Sequence, residues 1–166
     1  MLHYSLQHNH LHLIVESNDK NALGRGIMAL AGSLGRRLNR VLGSHGRVWG
    51  DRYHAHELRT PTEVRNALVY VLRNHRKHRL GAGAQRCAEE DRFSSASAFD
   101  GWGKDDSSDP TEEVREPSPP VSSPRTWLLR MGWRRRGLIR ATEGPREDIR
   151  GRPRDVVYVW EYLEVV

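Results

Sequence analysis

The chain opens on two short runs with strand chemistry, HYSLQ (3–7) and HLHLIVE (10–16). The polar pair His8–Asn9 between them predicts a hairpin with its turn near Gln7–Asn9. In the second run, period two sets Leu11, Leu13 and Val15 on one face and His10, His12 and Ile14 on the other. The period then lengthens. Leu23, Ile27, Leu30, Leu34, Leu38, Val41 and Leu42 recur at three- and four-residue steps, predicting a helix over 22–42 that stops at Gly43. Its four glycines at 24, 26, 32 and 35 each cost up to ~1 kcal/mol relative to alanine, so this helix depends on packing. RVWGDRYHAHELR (47–59) reads as a further strand region, broken or bulged at Gly50–Asp51. A second helix starts with Thr60 as N-cap, Pro61 as first helical residue and Glu63 completing a capping box. Val64, Ala67, Leu68, Val71 and Leu72 form its apolar stripe. Tyr70 and Asn74, four residues apart, share a flank of that stripe with Glu63, Asn66 and Lys77.

Beyond Leu80 the periodicity fades. Residues 81–124 are rich in Gly, Ser, Pro and acidic groups, and DDSSDPTEEVREPSPPVSSP within them reads as a disordered linker. RTWLLRMGWRRRGLI (125–139) predicts a short basic amphipathic helix with Trp127, Leu128 and Met131 facing inward. DVVYVWEYLEVV at the end is strand-like, but nothing in the sequence indicates its partner, so 140–166 stays an unassigned tail. The expected organisation is therefore one domain over 1–80, a linker over 81–124, a basic helix over 125–139 and that tail.

Charge sharpens this division. The net charge is +6 over 166 residues, yet residues 1–80 hold 13 Lys and Arg against 5 Asp and Glu, while 81–124 hold 4 against 10. All nine histidines lie in the first 80 residues. A basic, histidine-rich domain suits a polyanionic partner. The single cysteine, Cys87, excludes an internal disulfide and a cysteine-based metal cluster. Met1 is followed by LHYSLQ, with neither the basic start nor the apolar run of a signal peptide, and the 22–42 helix carries Arg25, Arg36, Arg37 and Arg40. A cytoplasmic protein with no membrane partner is the expectation.

Two histidines at i and i+2 on a strand project to one side, close enough to share a divalent ion, with Leu11 anchoring the strand between them. By itself His-x-His is equally the mark of a surface or nucleic-acid contact, and a metal needs a third ligand. His54 and His56 form a second such pair, which can complete a four-histidine zinc site, touch DNA phosphate, or simply alternate along a strand edge. Arg36, Arg37, Arg40, Arg52, Arg73 and Lys77 are the candidates for contacts to a single-stranded or hairpin DNA backbone. Trp49 and Tyr53 can stack on bases, with core packing the expected task for Trp49.

Taken together, NHLHLIVE, the long helix, VWGDRYHAHEL and the helix carrying YVLRN resemble the single-tyrosine HUH transposases, in particular those associated with repetitive extragenic palindromes and their insertion-sequence relatives. The resemblance covers about Leu2 to Leu80, with FSSASAFDGW and RTWLLRMGWRRRGLI similar to pieces of that family's C-terminal region. It implies that His10 and His12 bind Mg²⁺ or Mn²⁺, that Asn74 completes the metal site, and that Tyr70 is the nucleophile. The implied function is DNA transposition or DNA-end processing, cutting and rejoining single-stranded DNA through a 5′-phosphotyrosine, in a protein able to form a homodimer. The implied fold is α+β, a ferredoxin-like antiparallel sheet with helices on one face. The chain begins at the hairpin, so it is expected to lack that fold's first strand and helix. A non-catalytic DNA-binding remnant of such a transposase is the alternative. A histidine-triad nucleotide hydrolase, suggested by HNHLHLI, is a distant third, because Asn9 is polar where that motif wants an apolar residue and Tyr70 and Asn74 have no place in it.

Overall fold

The computed structural model describes residues 1–7, 10–50, 53–73, 91–103, 119–140, 143–144 and 159–161, and combines helix with strand. Strands β1 (His3–Leu6) and β2 (His10–Ile14) form a two-stranded antiparallel sheet, with Ser5 opposite His12 and Tyr4 opposite Leu13. This is the hairpin that the alternation predicts; its turn, residues 8 and 9, lies outside the described residues. A short run of backbone, β3 (Val159–Glu161), lies antiparallel on the other edge of β2, so part of the tail expected to stay unassigned has a place in the sheet.

Helix α1 (Lys20–Leu42) begins at Asp19, whose carboxylate accepts from the Ala22 amide, and ends at Gly43 with φ 63°. That left-handed turn is one glycine adopts without the steric cost of a Cβ. Helix α2 (Pro61–Arg73) starts as predicted: the Glu63 amide donates to Thr60 Oγ1, and the Glu63 carboxylate accepts from the Thr60 and Arg59 amides. Among the described residues, no helix is long and apolar enough to cross a membrane.

The two helices pack on opposite sides of the hairpin, which corrects the expectation of helices on one face. Leu11 and Leu13 are buried with Ile27 of α1, and Leu23, Leu30 and Leu34 pack beside them. Ile14 is buried with Val64, Ala67, Leu68, Val71 and Leu72 of α2. The physical reason is the period of the strand. A strand with apolar groups on both faces, as HLHLI has, needs cover on both. Only the first half of the α1 stripe is used, since Val41 and Leu42 stay 82% and 56% exposed.

Residues 53–59 form no strand, contrary to the reading of 47–59. Trp49 and Tyr53 spend this stretch on packing against α1, and the Trp49 indole nitrogen donates to the Ala31 carbonyl at 2.9 Å.

The expected boundary at Leu80 does not hold. Within the supposed linker, 91–103 runs along the outer edge of β1, where the Leu6 amide donates to the Phe93 carbonyl and the Ser95 amide to the Tyr4 carbonyl. Ser94, Ser95, Ala96 and Phe99 are buried. The average composition of 81–124 hides this packed stretch, in which Ser95 is buried through hydrogen bonds to Tyr4 of β1 and Ser94 through bonds to Asp91 and Ala96. Residues 104–118 lie outside the described residues.

The basic segment is likewise part of the core, and its inward side differs from the prediction. Helix α3 (Trp127–Arg130) is one turn long and runs into a 3₁₀ turn, Gly132–Arg136. Trp127 and Met131 are 52% and 58% exposed, whereas Trp133 and Ile139 are fully buried against α2 and Phe99. A break at Met131 rotates the following residues, so an uninterrupted helical period picks the wrong tryptophan. The Glu16 carboxylate holds this element to the end of β2, accepting from the Arg125 and Thr126 amides and the Thr126 hydroxyl. Arg65 of α2 pairs with both oxygens of Glu143 and donates to the Gly137 and Leu138 carbonyls.

Candidate active site

His10 and His12 lie at alternate positions of β2 and share the face that looks onto α2, with Leu11 buried on the opposite face. Tyr70 lies in the last turns of α2, half-buried at the margin of the core. The three rings form a row. His10 and His12 stand 4.6 Å apart at 78°, and His12 and Tyr70 4.9 Å apart at 83°. Two elements separated by almost sixty residues thus bring the histidine pair and the tyrosine into contact. The local causes are plain: strand alternation puts both imidazoles on one face, the capping box at Thr60 fixes where α2 begins, and the buried stripe of Val64, Ala67, Leu68, Val71 and Leu72 fixes which side of it meets the sheet.

His12, the middle ring of the row, is 1% exposed. The donor type is right for a divalent ion, two imidazoles on neighbouring positions of one face. Their present arrangement is edge to face, whereas a shared ion needs two nitrogens aimed at one point. Asn74, the third ligand implied by the resemblance, lies outside the described residues, as do Arg52 and Lys77. Among the described residues no group of three or more His, Cys, Asp and Glu is placed to hold a metal. The four-histidine site with His54 and His56 is therefore not assembled; both are exposed on the irregular stretch before α2.

The arginines divide. Arg36, Arg37 and Arg40 are exposed on the distal half of α1, where a phosphate backbone can reach them. Arg73 is not a surface group. It is 2% exposed, and its guanidinium lies over the Trp102 ring at 5.6 Å, so the DNA-backbone role read for it is corrected to an interior one.

Sequence reasoning missed His3. It precedes the HLHLI strand and has no partner at i+2, yet the register places it on the His12 face, opposite Ile14. Its Nδ1 lies 3.1 Å from Ser95 Oγ and its ring meets Phe99 edge-on. Burial pushes its pKa down to about 4, against a weaker upward pull from Asp100, so the ring is neutral at pH 7. The signal was available in the alternation of HYSL, read there only as strand.

No protein-family model matches this chain, and neither a curated protein nor a solved structure matches it.

Proposed function

We propose that this chain is a DNA-processing protein of the single-tyrosine HUH type, acting on single-stranded or hairpin DNA with Tyr70 as nucleophile. The observation that carries the reading is the contact of Tyr70 with the His10–His12 row, at 4.9 Å between the Tyr70 and His12 rings. In this reading the ferredoxin-like sheet is represented by the hairpin and β3. The protein works in the cytoplasm and can pair as a homodimer. His10, His12 and Asn74 would hold the divalent ion, which when bound supplies Lewis-acid polarisation of the scissile phosphate. Two imidazoles and an amide suit Mn²⁺ better than the oxygen-seeking Mg²⁺. The Tyr70 hydroxyl oxygen attacks phosphorus, the P–O3′ bond breaks, and the proton lost by Tyr70 is balanced by the one gained at the released 3′-OH. The 5′-phosphotyrosine keeps the phosphodiester bond energy, so rejoining needs no nucleotide. Exposed Arg36, Arg37 and Arg40 supply salt-dependent affinity.

A second reading, a non-catalytic DNA-binding remnant, draws support from the enclosure of His12. One assay separates the two. Incubated with an end-labelled hairpin oligonucleotide and Mn²⁺, the protein should give a slow-migrating covalent adduct on a denaturing gel. Tyr70→Phe should abolish it while leaving oligonucleotide binding intact. Binding without any adduct establishes the remnant reading instead, and an adduct that persists in Tyr70→Phe identifies a different nucleophile.

A further inference from the structure

Between Pro117 and Thr142 the chain has six arginines and no acidic residue. Five of them, Arg125, Arg130, Arg135, Arg136 and Arg140, are exposed, and Arg134 is engaged with Asp100 at 2.7 Å. Among these charges stands Trp127, 52% exposed, with the Arg135 guanidinium 5.1 Å from its ring centre. The indole is also fixed from below: a Cβ on Gly132 would come within 2.8 Å of its Cζ3, so only glycine lets the ring sit where it does. The element as a whole is rigidly attached, by Trp133 in the core and by Glu16 at the start of α3.

We infer that Trp127, Arg135 and the neighbouring Arg130 and Arg136 form a binding surface for single-stranded nucleic acid. An exposed large aromatic held in place at the cost of a glycine has no role in the core, which uses Trp133. An indole already capped by a guanidinium starts a stack that a nucleobase can extend, and the exposed arginines beside it match a phosphate backbone. Duplex DNA keeps its bases stacked inside and cannot use the ring, which makes the single-stranded form the fitting partner. A membrane surface also attracts Arg and Trp, but the four-residue helix α3 is far too short to lie in a bilayer interface as an amphipathic helix. This inference shares a nucleic-acid partner with the function proposed above but not its chemistry, and it uses none of His10, His12 or Tyr70.

The test is fluorescence anisotropy of a labelled mixed-sequence 20-nucleotide strand with the full chain, at 50 and 200 mM salt. Trp127→Ala should weaken binding at least fivefold, whereas Trp127→Phe, which keeps a ring, should recover most of the loss. Arg130→Gln with Arg135→Gln and Arg136→Gln should weaken it at least tenfold and flatten its salt dependence. The melting temperature should stay unchanged in the triple-arginine variant, because those side chains are exposed, and affinities of the Trp127 variants are read well below their melts. The same sequence as a duplex should bind at least tenfold less tightly. Unchanged affinity in either the Trp127→Ala or the triple-arginine variant overturns the inference. Equal affinity for the duplex overturns it too, as does a loss confined to binding of anionic phospholipid vesicles. Absence of a Tyr70 adduct with Trp127-dependent binding intact removes only the proposed chemistry. An adduct formed normally by a Trp127→Ala variant with undiminished affinity removes only this surface.

Discussion

Gly101 is buried between two aromatic rings: a Cβ there would clash with Trp133 Cη2 and Phe99 Cζ. Neither ring can retreat, since both are in the core. Gly101→Ala should therefore destabilise by about 1–3 kcal/mol, the usual cost of overpacking, read from a denaturant midpoint. His3 gives a pH dependence with a definite sign. Its folded pKa of about 4 lies below the 6.5 of an unfolded histidine, so the unfolded chain binds the proton first. The stability that neutral His3 provides is complete above pH 6.5 and is lost as pH falls from there toward 4, by up to about 3 kcal/mol. Comparing urea midpoints at pH 7 and 4.5 for the protein and His3→Gln isolates this contribution; an equal drop in both would assign the loss to other groups. Single residues also show where a sequence is legible. Gly43, Thr60 and Glu63 act within a few residues of themselves, so their roles could be read directly. The burial of Arg73 depends on Trp102, almost thirty residues away, and no local pattern carries that.

At the scale of elements, strands and helices with a clean period stood out, and their relative placement did not. HLHLI announces a strand, but that its two faces are covered by different helices follows from a choice between packing partners that periodicity does not encode. The site was legible to the same extent. Alternation put His10 and His12 together, whereas the approach of Tyr70 required the packing of α2 on that particular face. The failures have one cause. In 47–59, 91–103 and 125–139 the side chains that anchor the chain, Trp49, Phe99 and Trp133, are spaced irregularly. Each sits at the point where a non-repeating segment touches a regular one. The join at Glu16 illustrates how such a segment is secured. Burial alone would raise its pKa, but the hydroxyl and amide of Thr126 and the amide of Arg125 outweigh this and hold the carboxyl below its ordinary value. Glu16→Gln should cost about 1–2 kcal/mol, in the range of a lost helix cap. The penalty should fade as pH drops through the lowered pKa, where the wild-type group also loses its charge.

For the whole molecule, the core is not confined to the first 80 residues, because Ala96, Phe99, Trp133 and Ile139 share one buried cluster with Ile14 and α2. A fragment ending at Leu80 should accordingly fail to fold, giving no cooperative thermal transition and a collapsed or aggregated state, while a fragment through residue 144 should melt cooperatively. A sharp melt from the short fragment would restore the boundary that composition suggests. The Glu16–Thr126 contact, joining positions 110 apart, has a temporal meaning as well. On the ribosome the hairpin emerges early, and Trp133 and Ile139 emerge long after it. At a synthesis rate of roughly 5–20 residues per second, Ile14 waits several seconds for Trp133 and Ile139, which share its cluster. During that interval the nascent chain offers an apolar hairpin with an uncovered edge, so its yield in the cell should depend on chaperone capacity more than its finished architecture suggests.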